Sequence, residues 1–377
     1  MSSELICADV FELILMRLPV KSLYRFKSVA KSWNHTISEA VSNRDFMLAH
    51  RRHSKIHSSS KKNMFLALWS FDAALISLSK LENNELKLLP VDLERRGSFV
   101  GRVESCDGLI LILWKSCAKR SIHLWNPSAR KYTNLGTPFS YPRGTNSGNL
   151  FAYPYVFTCG IGFDPISKDY KIVAANVSMK QYSVFNSKRR CWNESKIMEI
   201  TIADDIRSFS LDGHICLQEG YEKQEETNSY DIKLVLFNPR DNKFYQCVYN
   251  TGQGSSTATS YCLYACSHGQ FCALIGDMNS DVCRVVWKKR SGEWSEFDGV
   301  AVPWTMYHKF DDDDLIDGLS IRMLFTDDDG ELIFSFGYRK VLVYSLIEKT
   351  SKLMVKPDGV VRGYPLIGYS DNLFFGN

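Results

Sequence analysis

The sequence predicts a small all-α module followed by a large all-β domain, most simply a β-propeller of six blades. Three observations carry this. Apolar residues recur at helical spacing in the first 50 positions, which hold no glycine. From Met64 onward the pattern changes to short β-branched and aromatic runs broken by Gly, Asn, Asp and Pro. Through that second region one strand–turn–strand figure returns with a period of roughly 55 residues, the signature of repeated β-units.

The helical module occupies residues 1–49. Val10, Phe11, Ile14, Leu15 and Leu18 fall at helical spacing and Pro19 closes the run. Pro19 also suits the first position of a second helix, in which Leu23, Phe26 and Val29 follow at steps of three. Trp33, Ile37 and Val41 mark a third. Helix one carries more apolar surface than so small a unit can bury. Phe11, Ile14, Leu15 and Leu18 make one stripe, and Val10 and Leu13 widen it well beyond the ~100° that a core-facing helix needs. A unit of about 45 residues has little interior, so part of this surface is expected to stay exposed as a docking face. The competing expectation is that it packs on the β-domain.

Residues 50–63 contain the basic run His50–Lys62, expected to be a solvated linker; nuclear targeting or phosphate contact is the alternative. Residues 64–377 form the β-domain. Its recurring figure is an apolar strand ending in an aromatic, a polar turn, and a second strand. It stands at His123–Tyr132, Val184–Trp192 and Val235–Tyr245, with weaker copies at Val285–Trp294 and Val343–Lys349. The aromatics before the turns are Trp125, Phe185, Phe237, Trp287 and Tyr344, separated by 60, 52, 50 and 57 residues. A second marker keeps step with the first: Asp107-Gly108, Asp212-Gly213, His268-Gly269 and Asp329-Gly330 each precede an apolar strand. One four-stranded unit cannot cover both its faces, whereas radially stacked units cover one another. The length available fits about six blades, the first a degenerate copy around Leu75–Leu89, with Asp371–Phe375 completing a blade.

Composition narrows the function. At 377 residues with 45% hydrophobic and 23% charged residues, the chain has ample core. A net charge of +4 makes no electrostatic case for nucleic acid. Eleven irregularly spaced cysteines, no apolar leader and no long apolar run predict a soluble, reduced, cytoplasmic or nuclear protein without membrane contact. Cys262, Cys266, His268 and Cys272 come near zinc-ligand spacing, but strand alternation accounts for them equally well. Asp311–Asp314 with Asp317-Gly318 lacks the alternating order and distal Glu of a calcium loop. Phosphate-cradling, zinc-protease and nucleophile-elbow motifs are absent from the sequence. No catalytic residue, metal or cofactor is assigned, and a non-catalytic adaptor is expected.

Ile6–Trp33, above all Arg17–Trp33 with its Leu-Pro-Val-Lys-Ser-Leu-Tyr-Arg-Phe-Lys-Ser-Val-Ala-Lys-Ser-Trp run from Leu18, resembles the F-box of plant F-box proteins. The remainder is similar to the plant F-box-associated, kelch-related domain. Cys106-Asp107-Gly108-Leu109, Trp125–Arg130 and Gly160–Pro165 are its landmarks here, clear to about residue 175 and diffuse beyond. The resemblance implies the target-recognition subunit of a Skp–cullin–F-box ubiquitin ligase. In it Val10, Ile14, Leu18, Pro19, Val20, Leu23, Val29 and Trp33 would form or support the surface for a Skp-family adaptor, and through that adaptor reach cullin. The β-domain would take an unidentified protein target, with Tyr141–Tyr155, Tyr221–Tyr230 and Met306–Asp317 as its candidate contact loops. The pattern departs at Ile6-Cys7, where the family opens its first helix with Leu-Pro, so a less preorganised helix start and weaker adaptor binding are expected. The alternatives are a scaffold that does not engage cullin, and a propeller enzyme acting on a small molecule.

Overall fold

The structure is a computed structural model. It describes the backbone of 8–57 and of the strands and turns named below, and side chains chiefly within 9–54, 103–139, 158–200, 214–217, 233–248 and 372–374.

Four helices open the described chain: α1 (Ala8–Arg17), α2 (Val20–Phe26), α3 (Lys31–Ser42) and α4 (Arg44–His57). Leu15, Val20, Leu23, Ile37, Val41 and Phe46 make their common core. Full burial of side chains of this size stabilises by about 1.5–3 kcal/mol each. Pro19 stands at the cap of α2 rather than inside it, with φ −57°, and its carbonyl accepts hydrogen bonds from the amides of Ser22 (2.9 Å) and Leu23 (3.1 Å). Trp33 ties α3 to the others through edge-on contacts with Phe11 (4.9 Å) and Phe26 (5.6 Å).

The fourth helix corrects the sequence reading. Three helices and a solvated linker at 50–63 were expected, but α4 runs through His57 and crosses the expected boundary. Asn43 starts it, its Oδ1 accepting from the amides of Asp45 (2.9 Å) and Phe46 (3.4 Å) in the manner of an N-cap. The helix is buried on two sides. Phe46 enters the helical core, Leu48 enters a core of the β-domain, and Met47 borders both. Its basic residues therefore do not mark a solvated tether. Arg44 and Arg51 instead reach the β-domain.

The described strands pair into six antiparallel sheets. The first holds β1 (Asn63–Trp69), β2 (Ala73–Glu82) and β3 (Glu85–Arg96); the second holds β4 (Phe99–Cys106), β5 (Leu109–Lys115), β6 (Arg120–Asn126) and β7 (Lys131–Gly136). The third comprises β8 (Phe157–Asp164), β9 (Asp169–Asn176), β10 (Gln181–Asn186), β11 (Cys191–Trp192) and β12 (Lys196–Ile197). The fourth comprises β13 (Phe209–Leu211), β14 (His214–Gln224), β15 (Ser229–Asn238) and β16 (Lys243–Gln253). The fifth runs β17 (Ser260–Ser267), β18 (Gln270–Asp277), β19 (Val282–Lys288) and β20 (Trp294–Pro303). The sixth runs β21 (Arg322–Thr326), β22 (Glu331–Phe336), β23 (Lys340–Ser345) and β24 (Ser351–Val355). Finally β25 (Arg362–Gly363) and β26 (Ile367–Gly368) return to pair with β1, joining the end of the domain to its beginning.

Stacking of the sheets is visible in β9, which is buried on both faces. Tyr170, Ile172 and Ala174 pack with Leu109, Leu111, Leu113, Ile122 and Leu124 of the second sheet. The alternate residues Val173 and Ala175 pack with Ile215, Leu217, Val235 and Phe237 of the fourth. A period-2 strand thus feeds two cores at once, as stacked blades require. The approach is close at Gly162, where a Cβ would lie 2.7 Å from Ile215 Cγ1.

Turn chemistry explains the described copies of both repeated sequence figures. Asp107 and Gly108 form the two-residue turn between β4 and β5, with φ of 50° and 84°. Two positive φ values are the requirement of a type I′ hairpin, which Asp-Gly meets well. After three of the five aromatics of the other figure, Trp125, Phe185 and Phe237, an asparagine folds the turn. Asn126 Oδ1 accepts from Ala129 N (3.1 Å), Asn186 Oδ1 from Arg189 N (2.9 Å), and Asn238 Oδ1 from Arg240 N (2.9 Å). A left-handed residue ends each turn: Arg130, Arg190 and Asn242. The preceding aromatics Trp125, Phe185 and Phe237 are buried.

Candidate functional site

The candidate docking residues separate into those that are presented and those that support them. On α1, Val10 is 49% exposed, Leu13 50% and Ile14 41%, and at spacings of three and four they share one face. Leu15, one position further on, is fully buried. Pro19 is exposed, as is Val29, at 63%, in the turn before α3. Leu18 and Trp33 are half-buried, whereas Val20 and Leu23 are wholly interior. The excess apolar surface of helix one is therefore not spent on the β-domain.

The contact with the β-domain comes from elsewhere, chiefly α4. His50 is buried and its Nε2 lies 2.9 Å from the carbonyl of Leu18, at the end of α1, so α4 holds the α1–α2 corner. The next residue, Arg51, donates from Nε to Asp107 Oδ2 (2.8 Å) and to the Tyr170 hydroxyl (3.0 Å), and its Nη2 also donates to Asp107. Its guanidinium lies over the Phe163 ring, 3.6 Å from the centroid. Burial alone would lower the guanidinium's pKa, but Tyr170 and Asp107 raise it further than burial lowers it. Burial pushes the Tyr170 hydroxyl well above its ordinary value, and the Asp107 charge adds to this, so the phenol stays protonated and donates to Asp107 Oδ2 (3.2 Å). Nearby, Arg44 Nη2 donates to the Lys168 carbonyl (2.8 Å) and pairs with Asp169 (3.1 Å).

A tripeptide from the far end of the chain fills the same seam. Leu373 is buried in the helical core and Phe374 in the core between the second and third sheets. Asn372, which precedes both, is fully buried, its Nδ2 donating to the Asp107 carbonyl and the Tyr170 hydroxyl. Asn126 Nδ2 donates to the carbonyls of Asn372 (2.8 Å) and Phe374 (2.6 Å).

Sequence reasoning missed His50 and Arg51, and it read Asp371–Phe375 as completing a blade, whereas the described Asn372–Phe374 belong to no strand and bridge the helical core and a core of the β-domain. The cap Asn43 and the Phe46/Met47/His50 spacing were available as a helix signal, but the basic run concealed them. The cysteine cluster Cys262–Cys272, with His268, has no described side chains, and Ile6-Cys7 and Asp311–Asp314 also lie outside the described residues. So do Tyr141–Tyr155, Met306–Asp317 and the part of Tyr221–Tyr230 between its strand ends. Among the described residues no group of three or more His, Cys, Asp or Glu could hold a metal ion, and no helix is long and apolar enough to cross a membrane.

Comparison with known proteins places these features. Residues 64–362 match the family described as F-box associated beta propeller domain. An F-box/kelch-repeat protein of Arabidopsis thaliana is 29% identical over 215 residues, covering 53% of this chain and 54% of its own. An F-box protein of the same plant is 24% identical over 251 residues, covering 61% of each chain. The present chain thus spans little more than half the length of these curated relatives. Among solved structures, TolB from Acinetobacter baumannii aligns with 86% of this chain and 72% of its own, at 10% identity and a TM-score of 0.48.

Proposed function

The chain belongs to the F-box-associated β-propeller family, and from that premise we propose that it is the target-recognition subunit of a Skp–cullin–F-box ubiquitin ligase. The observation that carries the reading is the free apolar face of α1. Val10, Leu13 and Ile14 stand exposed while the module is seated on the β-domain by α4 and Leu373. This face, with Leu18, Pro19 and Val29, takes a Skp-family adaptor, and Val20, Leu23 and Trp33 shape it from beneath. Cullin joins through the adaptor, in the cytoplasm or nucleus. The protein itself makes and breaks no bonds; it acts by proximity, raising the effective concentration of a target lysine near the ubiquitin carrier.

The six sheets support a six-bladed propeller whose two faces have different work. Arg51 and Arg44 hold the β4–β5 and β8–β9 turns, and Asn126 holds the tail from the β6–β7 turn. Because consecutive antiparallel hairpins alternate ends, the β5–β6 and β9–β10 connections and the sheet-to-sheet connections leave from the opposite face. The segments 141–155, 225–228 and 306–317 join strands whose ends point that way. Met179, in the β9–β10 turn, and Ile197, 80% exposed on β12, are apolar residues of that face. We assign the protein target to it, away from the helices.

Co-purification tests the reading. The folded full chain should form a stoichiometric complex with a Skp-family adaptor and then recruit cullin. A chain that folds yet binds no adaptor would overturn the proposal, and turnover of a small molecule by the purified protein would replace it with an enzymatic one.

A further inference from the structure

We propose that Asn372–Phe374 is a strap that makes the adaptor-docking helices depend on closure of the β-domain. The proposal rests on α1 being the adaptor face, and it adds the residues that position it. Leu373 is part of the helical core, beside Leu15, Val20, Leu23 and Ile37. It comes from a segment that first pairs β25 and β26 with β1, the first strand of the domain. The helical core is therefore incomplete until the last part of the chain has returned to the first sheet and crossed the seam.

The strap is fixed at both sides of Leu373. Asn372 Oδ1 accepts from the Phe374 amide (2.7 Å), which shapes the tripeptide so that adjacent side chains enter different cores. Phe374 packs edge-on against Tyr170 (5.0 Å) and Phe163 (6.3 Å), the rings that also surround Arg51. The two donors of Asn126 clamp the strap's carbonyls, and its acceptor closes its own turn. A buried amide with both ends committed leaves the strap little freedom to shift without breaking several bonds. Leu373, Asn372 and Asn126 are thus positioning residues: they act on the docking face through Leu15, Val20 and Leu23. One consequence is a folding check, in which a chain with an open β-domain presents a loosened docking face to the adaptor.

Hydrogen exchange of the full-length chain, read by mass spectrometry without any adaptor, tests the coupling. In Leu373→Ala, amides of α1 to α3 should exchange at least ~10-fold faster while those of β8 and β9 keep the wild-type rate. Adaptor affinity should fall by a similar factor, and Leu373→Met should restore both. Asn126→Asp keeps the acceptor of the turn but faces the strap's carbonyls with a carboxylate. It should loosen the same helices from a position that touches the strap rather than the helical core. Wild-type helix exchange in Leu373→Ala would overturn the strap. Faster helix exchange in a protein whose wild type never binds an adaptor would keep the strap and overturn the docking assignment instead.

Discussion

Arg51 Nε donates to Asp107 Oδ2 at 2.8 Å, which joins the last helix of the module to the first hairpin of the second sheet. Both side chains are largely buried, and Arg51 also stacks on Phe163 and donates to Tyr170. Breaking such a pair from one side strands a buried charge, a loss of about 3 kcal/mol. Arg51→Met should therefore cost about that much in urea unfolding. Asp107→Asn preserves the left-handed turn, since Asn accepts that conformation readily. The double variant should then lose clearly less than the sum of the two single losses. Arg51→Lys should rescue little, because a lysine lacks the planar fork and the stacking surface. Additive single losses would show that the two residues act separately.

Gly162 predicts a different kind of coupling. A Cβ there would meet Ile215 Cγ1 at 2.7 Å and Pro239 Cγ at 3.3 Å, so the third and fourth sheets would have to move apart. Gly162→Ala should destabilise by about 1–3 kcal/mol through overpacking. Ile215→Ala removes the obstructing atom and costs stability by leaving a cavity. Combined, the two should be less damaging than their sum, measured as midpoints of chemical unfolding. A fully additive pair would mean that the sheets are not in contact through this glycine.

The β-domain was legible because its signals are local and repeated. Asp107-Gly108 meets the dihedral demand of a hairpin turn, and Asn126, Asn186 and Asn238 fold their turns with their own side chains. Each can be read within five or six residues. The eight docking candidates carry no distinction between exposed and interior roles in the sequence. Apolar spacing alone does not distinguish exposed Ile14 from interior Leu23, because the same residue types serve both. The seat of the module was not legible at all. His50 and Arg51 owe their roles to Leu18, Asp107 and Tyr170, which lie far away in sequence. Leu373 supplies the helical core from the opposite end of the chain, a contact no periodicity can announce.

Asp164 gives a pH dependence. Burial raises its carboxyl, but hydrogen bonds from Ser167 Oγ (2.6 Å) and the Ile166 amide (2.9 Å), with Lys171 beside it, hold its pKa below the ordinary 3.8. A depressed folded value means the contribution is complete above the unfolded value and is lost as the pH falls through the folded one. Wild type should thus exceed Asp164→Asn in stability by a constant margin from pH 7 to about 5. That margin should shrink below pH about 4 as the wild-type carboxyl protonates. Urea unfolding across this range reads the difference directly, and a margin that does not narrow in acid would rule out the assigned hydrogen bonds. Lys171 also donates to the Pro239 carbonyl, so loss of the Asp164 charge should loosen the third sheet from the fourth.

The exposed and interior members of the docking set should respond oppositely to charge. Val10, Ile14 and Val29 meet solvent, so an aspartate at any of them leaves the fold within about 0.5 kcal/mol of wild type. If α1 presents its face to an adaptor, the same changes bury an unpaired carboxylate in that interface. Affinity should then fall at least ~10-fold, equivalent to about 1.4 kcal/mol. Val20 and Leu23 are fully interior, beside Leu15 and Leu373. An aspartate there should abolish adaptor binding by melting the module, seen as lost helical signal before any partner is added. Calorimetric titration paired with circular dichroism separates the two outcomes. Undiminished binding by Ile14→Asp would move the docking face off α1, because no other exposed apolar stripe of the described helices has comparable extent.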